Sequence, residues 1–185
     1  AFRAERLYRD ADKRASVKGY ELSLASIATL CEEAHKHGLK FGVSVFDRTT
    51  LAEIKTSVPV DVFKIASYSL LDLELIRAVA ETEKSMMIGT GMGTDKEVAA
   101  AWGEAFEHGA TPTMLHCVSN YPTPYHQMNL QAMAKLPANR GLSDGLAART
   151  PGRPVCTLVA PRYRRANHPP KAAAEWRCPA GITVL

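Results

Sequence analysis

Lys64 is the residue of this chain whose type and setting most demand a chemical explanation. It stands inside the run Val62-Phe63-Lys64-Ile65-Ala66, and an ammonium held among apolar neighbours must meet an anion or carry a large desolvation cost. The residues leave three readings open. The lysine snorkels at a strand end or pairs with Asp47, it binds a substrate anion, or it forms a Schiff base with a carbonyl compound. Ser67, three residues on, offers a hydroxyl to the same anion. A second feature is the run Gly89-Thr90-Gly91-Met92-Gly93. A glycine-rich turn into a helix can aim backbone N–H groups and the helix dipole at phosphate or carboxylate, or it can be a tight turn that needs positive φ. The third feature runs from His116 through Ser119, Asn120 and Tyr121 to Tyr125, where prolines stiffen a loop bearing hydroxyl, amide and phenol groups. His116 reads as a buried, hydrogen-bonded imidazole rather than a metal ligand, because no second ligand lies at helical or turn spacing. His35 and His37 near a helix C-terminus suit the dipole and are given no chemistry.

These groups need elements to hold them. Short apolar or β-branched runs alternate with segments of helical period and restart about every 20 to 27 residues, the spacing of repeated βα units. Strands are expected at Lys40 to Phe46, Val60 to Ser67, Ser85 to Thr90 and Thr113 to Ser119. Their near-continuous apolar character suits a parallel sheet buried on both faces. Ser23 is an expected N-cap and Gly38 a C-terminal stop around a helix whose buried face is Ile27, Leu30, Cys31 and Ala34. Ser69 with Asp72, and Thr94 with Glu97, have capping-box spacing. Val98, Trp102, Ala105 and Phe106 make the buried stripe of the helix that follows Thr94. Periodicity alone does not choose between a barrel and a doubly wound sheet. In either, the C-terminal strand ends open on one face. Those ends carry Ser44 and Asp47, Lys64 and Ser67, Gly89-Thr90-Gly91, His116 with Ser119, Asn120 and Tyr121, and on a fifth strand Ser143 and Asp144. Their shared location makes them the candidate site.

At 185 residues, 46% of them apolar, the chain can bury one core but is short for a whole eight-unit barrel of about 250 residues. The net charge of +4 is uneven: from Leu146 onward seven Lys/Arg stand against Glu175 alone, a charge of +6 that leaves the preceding residues at −2. That tail also holds six of the eleven prolines. It is expected to be disordered or off-pattern, and its one short cluster, Arg162 to Arg165, does not make a nucleic-acid arm. No run of 18 apolar residues and no secretory leader is found, so neither a membrane nor a nucleic-acid partner is expected. Cys31, Cys117, Cys156 and Cys178 have no zinc or redox spacing and are too sparse for a disulfide framework, so reduced thiols and a cytoplasmic location are expected.

Phe46-Asp47, Phe63-Lys64-Ile65-Ala66-Ser67, Thr90-Gly91-Met92 and the stretch from His116 through Tyr125 to Asn129-Leu130 together resemble the N-acetylneuraminate (sialic acid) synthase family, in order from Ala1 to about Asp144. The resemblance implies an α/β fold: a TIM (β/α) barrel of parallel strands alternating with helices, incomplete here. Residues 1–145 would be the partial synthase barrel and 146–185 the Pro/Arg-rich tail. It implies a transferase that joins phosphoenolpyruvate to an N-acetylated aldose, giving a sialic acid-type nonulosonic acid and phosphate in carbohydrate and polysaccharide biosynthesis. A divalent metal, Mn²⁺ or Mg²⁺, and a homodimer are implied with it. By the same resemblance Lys64, Ser67 and Ser44 bind the phosphate or carboxylate of phosphoenolpyruvate, with the Thr90 turn beside them. Ser119 and Tyr121 face the substrates, Asn120 between them joins the substrate-binding candidates, and Ser143 contacts phosphate. Lys64 and Tyr121 are the catalytic candidates. Where the family has a histidine metal ligand after Ser143-Asp144, this chain has Gly145, and His168 among prolines is a poor substitute for the second one. The metal ligands are therefore expected to be missing and the activity of the isolated chain impaired. The abrupt change in charge and proline content there suggests a frameshifted or truncated reading frame. Two other functions stay open, a Schiff-base aldolase using Lys64 and a non-catalytic fragment.

Overall fold

Phe41, Val43 and Val45 alternate with Gly42 and Ser44 along the first strand, β1 (Lys40–Val45), and this period of two sends one set of side chains to each face of a sheet. The alternation recurs in β2 (Val62–Ile65), β3 (Ser85–Gly89), β4 (Thr113–Cys117) and β5 (Arg140–Ser143). In the computed structural model, which describes residues 4–120, 123–137, 139–143, 157–158 and 182–184, these strands lie side by side in chain order, each parallel to the next. Two short strands complete the sheet: β6 (Thr157–Leu158) runs antiparallel to β5, and β7 (Ile182–Val184) runs parallel to β1. The order is β6-β5-β4-β3-β2-β1-β7. Among the described residues β6 and β7 do not pair, so this sheet is not closed into a barrel.

Among the described residues six α-helices precede or separate the strands: α1 (Ala4–Leu7), α2 (Ala11–Lys18), α3 (Leu24–Lys36), α4 (Arg48–Ser57), α5 (Leu73–Ala80) and α6 (Asp95–Glu107). Ile27 and Cys31 of α3, Leu51 and Ile54 of α4, Leu75, Ile76 and Val79 of α5, and Val98, Ala101 and Ala105 of α6 form one buried cluster with Val43, Val45, Phe63, Ile65, Met86, Ile88 and Met114. Helices α3, α4, α5 and α6 thus cover the same face of the sheet. A doubly wound sheet would carry helices on both faces, so the one-sided layer is the barrel-like arrangement. The other face holds a separate small cluster of Val62, Met87 and Leu115.

Three of the four local signals behave as expected. Ser23 caps α3 by accepting from Ser26 N–H, Gly38 follows α3 at φ +68, and Thr94 with Glu97 forms a full capping box on α6. The Ser69 and Asp72 box does not form. Ser67–Ser69 instead make a 3-10 turn in which Ser69 is buried, which delays α5 to Leu73 and leaves Asp72 itself as the N-cap, accepting from Leu75 N–H at 2.9 Å. Leu30 and Phe106, expected inside, are 40% and 55% exposed. Ala101 takes the buried place in α6, and Phe106 stacks on the partly buried Trp102 with centroids 4.8 Å apart. Of the tail, expected to be disordered or off-pattern, β6 and β7 are strands and the rest lies outside the described residues.

Candidate active site

The strand that carries Lys64 also dictates which way it points. Phe63 and Ile65 are buried in the helix-side core, so alternation turns Lys64 to the opposite face, where Val62 lies. Its Cα neighbours across the sheet are Ser44 on β1 and Met87 on β3. Asp47 does not pair with it. That carboxylate accepts from Thr50 N–H and from Thr50 Oγ1, both at 2.7 Å, as the N-cap of α4, and Arg6 of α1 approaches it at 3.5 Å. Among the described residues the half-buried Lys64 makes no salt bridge.

Three strand ends meet beyond Lys64. Gly91 N–H donates to Ser67 Oγ at 3.0 Å and to Cys117 Sγ at 3.1 Å, and those two atoms lie 3.0 Å from each other. A methyl placed on Gly91 would stand 2.6 Å from Ser119 Oγ and 3.1 Å from both Cys117 Sγ and Ser67 Oγ. The bare Cα of Gly91 therefore lets two hydroxyls and a thiol close in around its backbone. Register puts Ser143 of β5 beside Cys117, on the same side of the sheet. Such a set of small donors on the lysine-bearing side of a parallel sheet suits an anion with several oxygens.

The glycines of the turn answer to close contact rather than to backbone conformation. Of residues 89–93 only Met92 has positive φ, +65, with its side chain exposed. A Cβ at Gly89 would come 2.8 Å from Ser67 Oγ, and one at Gly93 would strike Leu70 Cδ2. Thr90, expected at the mouth, is buried, and its Oγ1 and N–H both donate to the Leu115 carbonyl at 3.0 Å. Its hydroxyl ties β3 to β4. The N-terminus of α6 is also committed: the Glu97 carboxylate accepts from Thr94 N–H at 2.7 Å, and these bonds hold Glu97 below the ordinary carboxylate range. With Asp95 and Glu97 in that first turn, the helix end is not offered to an anion, and Gly91 N–H bears on the candidate site by holding Ser67 Oγ.

After β4 the loop is pinned by Thr123, whose buried hydroxyl donates to the Asn120 carbonyl at 2.7 Å. Ser119 and Asn120 are exposed, and Asn120 Nδ2 reaches Gln127 Oε1 at 3.4 Å. His116 is half-buried with Nε2 at 2.7 Å from the Met128 carbonyl, the hydrogen-bonded imidazole that the sequence suggests. Tyr121, Asp144, Gly145 and His168 lie outside the described residues. Among the described residues no three His, Cys, Asp or Glu side chains group to hold a metal ion, so they do not fit the implied metal and no step is derived through one. Likewise no described helix is long and apolar enough to cross a membrane. Sequence reasoning passed over Cys117 because it compared cysteines only with one another. The available signal was the period of two, which sets Leu115, Cys117 and Ser119 on one face.

Comparison with known proteins supplies the lineage. The sequence profile of the NeuB family matches residues 2–161. The chain belongs to the NeuB family. Its relatives there include the pseudaminic acid synthase of Helicobacter pylori, 34% identical over 134 residues that make up 72% of this chain and 39% of that protein. The N,N'-diacetyllegionaminic acid synthase of Campylobacter jejuni is 29% identical over 139 residues, 74% of this chain and 41% of that one. The chain thus spans about two fifths of the length of the curated relatives it matches. Among solved structures, the N-acetylneuraminic acid (sialic acid) synthetase of Leptospira borgpetersenii superposes with a TM-score of 0.73 at 24% identity, covering 79% of this chain and 53% of that one. That likeness establishes a shared fold. The resemblance read from Phe46-Asp47 through Asn129-Leu130 is borne out at the level of family.

Proposed function

We propose that this chain carries the phosphoenolpyruvate-binding part of an enzyme that condenses phosphoenolpyruvate with an open-chain N-acetylated aldose. The products are a sialic acid-type nonulosonic acid and inorganic phosphate. One observation carries the reading: Lys64, paired with no described carboxylate, shares a sheet face with the convergence of Ser67, Gly91 N–H and Ser119 in a NeuB-family chain. The synthase names of two relatives support the product class.

In this reaction the methylene carbon of phosphoenolpyruvate bonds to the aldehyde carbon, whose carbonyl electron pair moves to oxygen and takes a proton. Water then adds at C2 and loses a proton, and the bond from C2 to the phosphate oxygen breaks, leaving a ketone and inorganic phosphate. In the proposed assignment Lys64 neutralises the phosphate or carboxylate, and Ser44, Ser67, Ser119 and Ser143 donate hydrogen bonds to it. Thr90 fixes the turn that presents Gly91 N–H. Asn120 and Tyr121 belong to the loop over the sugar. The same reading treats residues 1–145 as the barrel part and 146–185 as a tail, with homodimer assembly and a cytoplasmic location. It includes neither a nucleic-acid nor a membrane partner. Gly145, standing where the family resemblance implies a metal histidine, is expected to hold turnover by this chain well below its capacity to bind phosphoenolpyruvate.

The test is calorimetric titration of the chain with phosphoenolpyruvate, for wild type and Lys64→Ala, alongside phosphate release with a panel of N-acetylated aldoses. Binding that depends on Lys64 is expected. A borohydride-trapped pyruvate adduct on Lys64 would replace the reading with a Schiff-base aldolase, since the phosphoenolpyruvate route forms no imine. Titration without any heat or shift from phosphoenolpyruvate would refute it outright.

A further inference from the structure

We infer that Cys117 is a positioning residue for the anion site: its thiol gives a hydrogen bond to Ser67 Oγ and so turns the Ser67 proton outward to the bound anion. The inference rests on reading Lys64 and Ser67 as the phosphoenolpyruvate anion site, and it assigns work to a residue that the proposed chemistry leaves idle. The geometry is a triangle. Gly91 N–H points at Ser67 Oγ from 3.0 Å and at Cys117 Sγ from 3.1 Å, and the third side, from Oγ to Sγ, is 3.0 Å. A hydroxyl has one proton and two acceptor lone pairs, whereas a thiol is a weak donor and a weak acceptor. One Ser67 lone pair is filled by Gly91 N–H, so two arrangements remain for the other two protons. In the first, Ser67 O–H rests on sulfur. In the second, Cys117 S–H fills the other lone pair of Ser67, and the Ser67 proton must leave the triangle.

An anion decides between them. A phosphate or carboxylate oxygen is a far stronger acceptor than a thiol sulfur, so a bound anion draws the Ser67 proton to itself. The thiol can then reverse its role at little cost, because it already lies in hydrogen-bond contact with Oγ. A hydroxyl that accepts two hydrogen bonds is also a better donor through the third. The bond from Gly91 N–H at 3.0 Å holds Ser67 Oγ in this position. No comparable role is open to Cys31, which is fully buried on the helix side.

The experiment is a double-mutant cycle on the full chain, with phosphoenolpyruvate affinity read by calorimetry. Cys117→Ala is expected to weaken binding roughly two- to tenfold, the loss of one neutral hydrogen bond, and Cys117→Ser to restore it to within about twofold, because serine keeps a donor and an acceptor there. In the Ser67→Ala background, Cys117→Ala is expected to change affinity less than about twofold. A merely structural cysteine would cost the same factor in both backgrounds. That outcome, or no loss on Cys117→Ala while Lys64→Ala and Ser67→Ala still weaken binding, overturns the positioning role and leaves the anion site standing. Indifference of binding to Lys64→Ala and Ser67→Ala overturns the site and this inference together. Should the alanine variant fail to fold, wild-type protein gives a second reading. Phosphoenolpyruvate is expected to slow iodoacetamide alkylation of Cys117, followed on its own peptide with Cys31 as the reference for folding. An unchanged alkylation rate at saturating phosphoenolpyruvate contradicts the inference.

Discussion

Gly91→Ala separates the cost of folding from the cost of binding. The added methyl would lie 2.6 Å from Ser119 Oγ and 3.1 Å from Ser67 Oγ and Cys117 Sγ. Ser119 is exposed and can swing aside, while Ser67 and Cys117 need to yield only a few tenths of an ångström. The steric penalty therefore falls at the low end of overpacking, about 1 to 2 kcal/mol. Reduced freedom of the unfolded chain offsets about 0.4 to 1 kcal/mol of it, since Gly91 is not among the positive-φ positions. Stability should fall by no more than about 1.5 kcal/mol. Binding has no such relief, because the methyl would displace Ser119 and Ser67, the hydroxyls assigned to the anion. Losing one charge-assisted contact costs about 1.5 to 3 kcal/mol, or roughly ten- to 150-fold in affinity. Gly93→Ala is the matched control. Its methyl would strike Leu70 Cδ2 and stand 3.3 Å from Val98 Cγ2, both away from the site, so it should cost about 1 to 3 kcal/mol of stability and leave affinity alone. Urea unfolding and calorimetric titration with phosphoenolpyruvate measure the two quantities. A folded Gly91→Ala protein with wild-type affinity would refute the assignment of these hydroxyls to the anion.

Lys64→Ala should weaken phosphoenolpyruvate binding by about 1.5 to 3 kcal/mol, and restoration by Lys64→Arg would be partial, because the fork geometry differs from a point charge; unchanged affinity would return Lys64 to a snorkelling role. Thr94→Ala removes the cap of α6 and should lower stability by about 1 kcal/mol with phosphoenolpyruvate affinity intact, as seen by thermal unfolding and titration of the same sample. Asp61 gives a pH signature. Burial alone would raise its pKa, but the hydrogen bonds from Phe41 N–H at 2.8 Å and His35 Nε2 at 2.7 Å, with the His35 and Lys40 charges, bring it below the ordinary value. Its stabilisation is thus complete above the unfolded carboxylate pKa of about 3.9 and is lost as pH falls through the lower folded value. Urea midpoints between pH 2 and 6 should drop less steeply for Asp61→Asn than for wild type, and parallel curves would dismiss the linkage.

What the sequence by itself determined is what a few neighbouring residues can decide. Near-continuous apolar runs located β1 to β4, and the Ser23 and Thr94 caps and the Gly38 stop were legible because each bond closes within one turn. The motif order also carried the family. The choice of barrel-like over doubly wound packing needed the structure, since no local pattern says that α3, α4, α5 and α6 all cover the same face. Neither does any local pattern say that Asp47 turns to Thr50 and Arg6 instead of Lys64, or that Thr90 spends its hydroxyl on the Leu115 carbonyl. The triangle of Ser67, Gly91 and Cys117 joins residues 24, 26 and 50 positions apart. Which strand end meets which is set by strand order and register, and a shift of one residue would turn each of these side chains to the other face. Tertiary structure therefore decided the site: its donors belong to three strands whose separate sequences carry no record of their alignment.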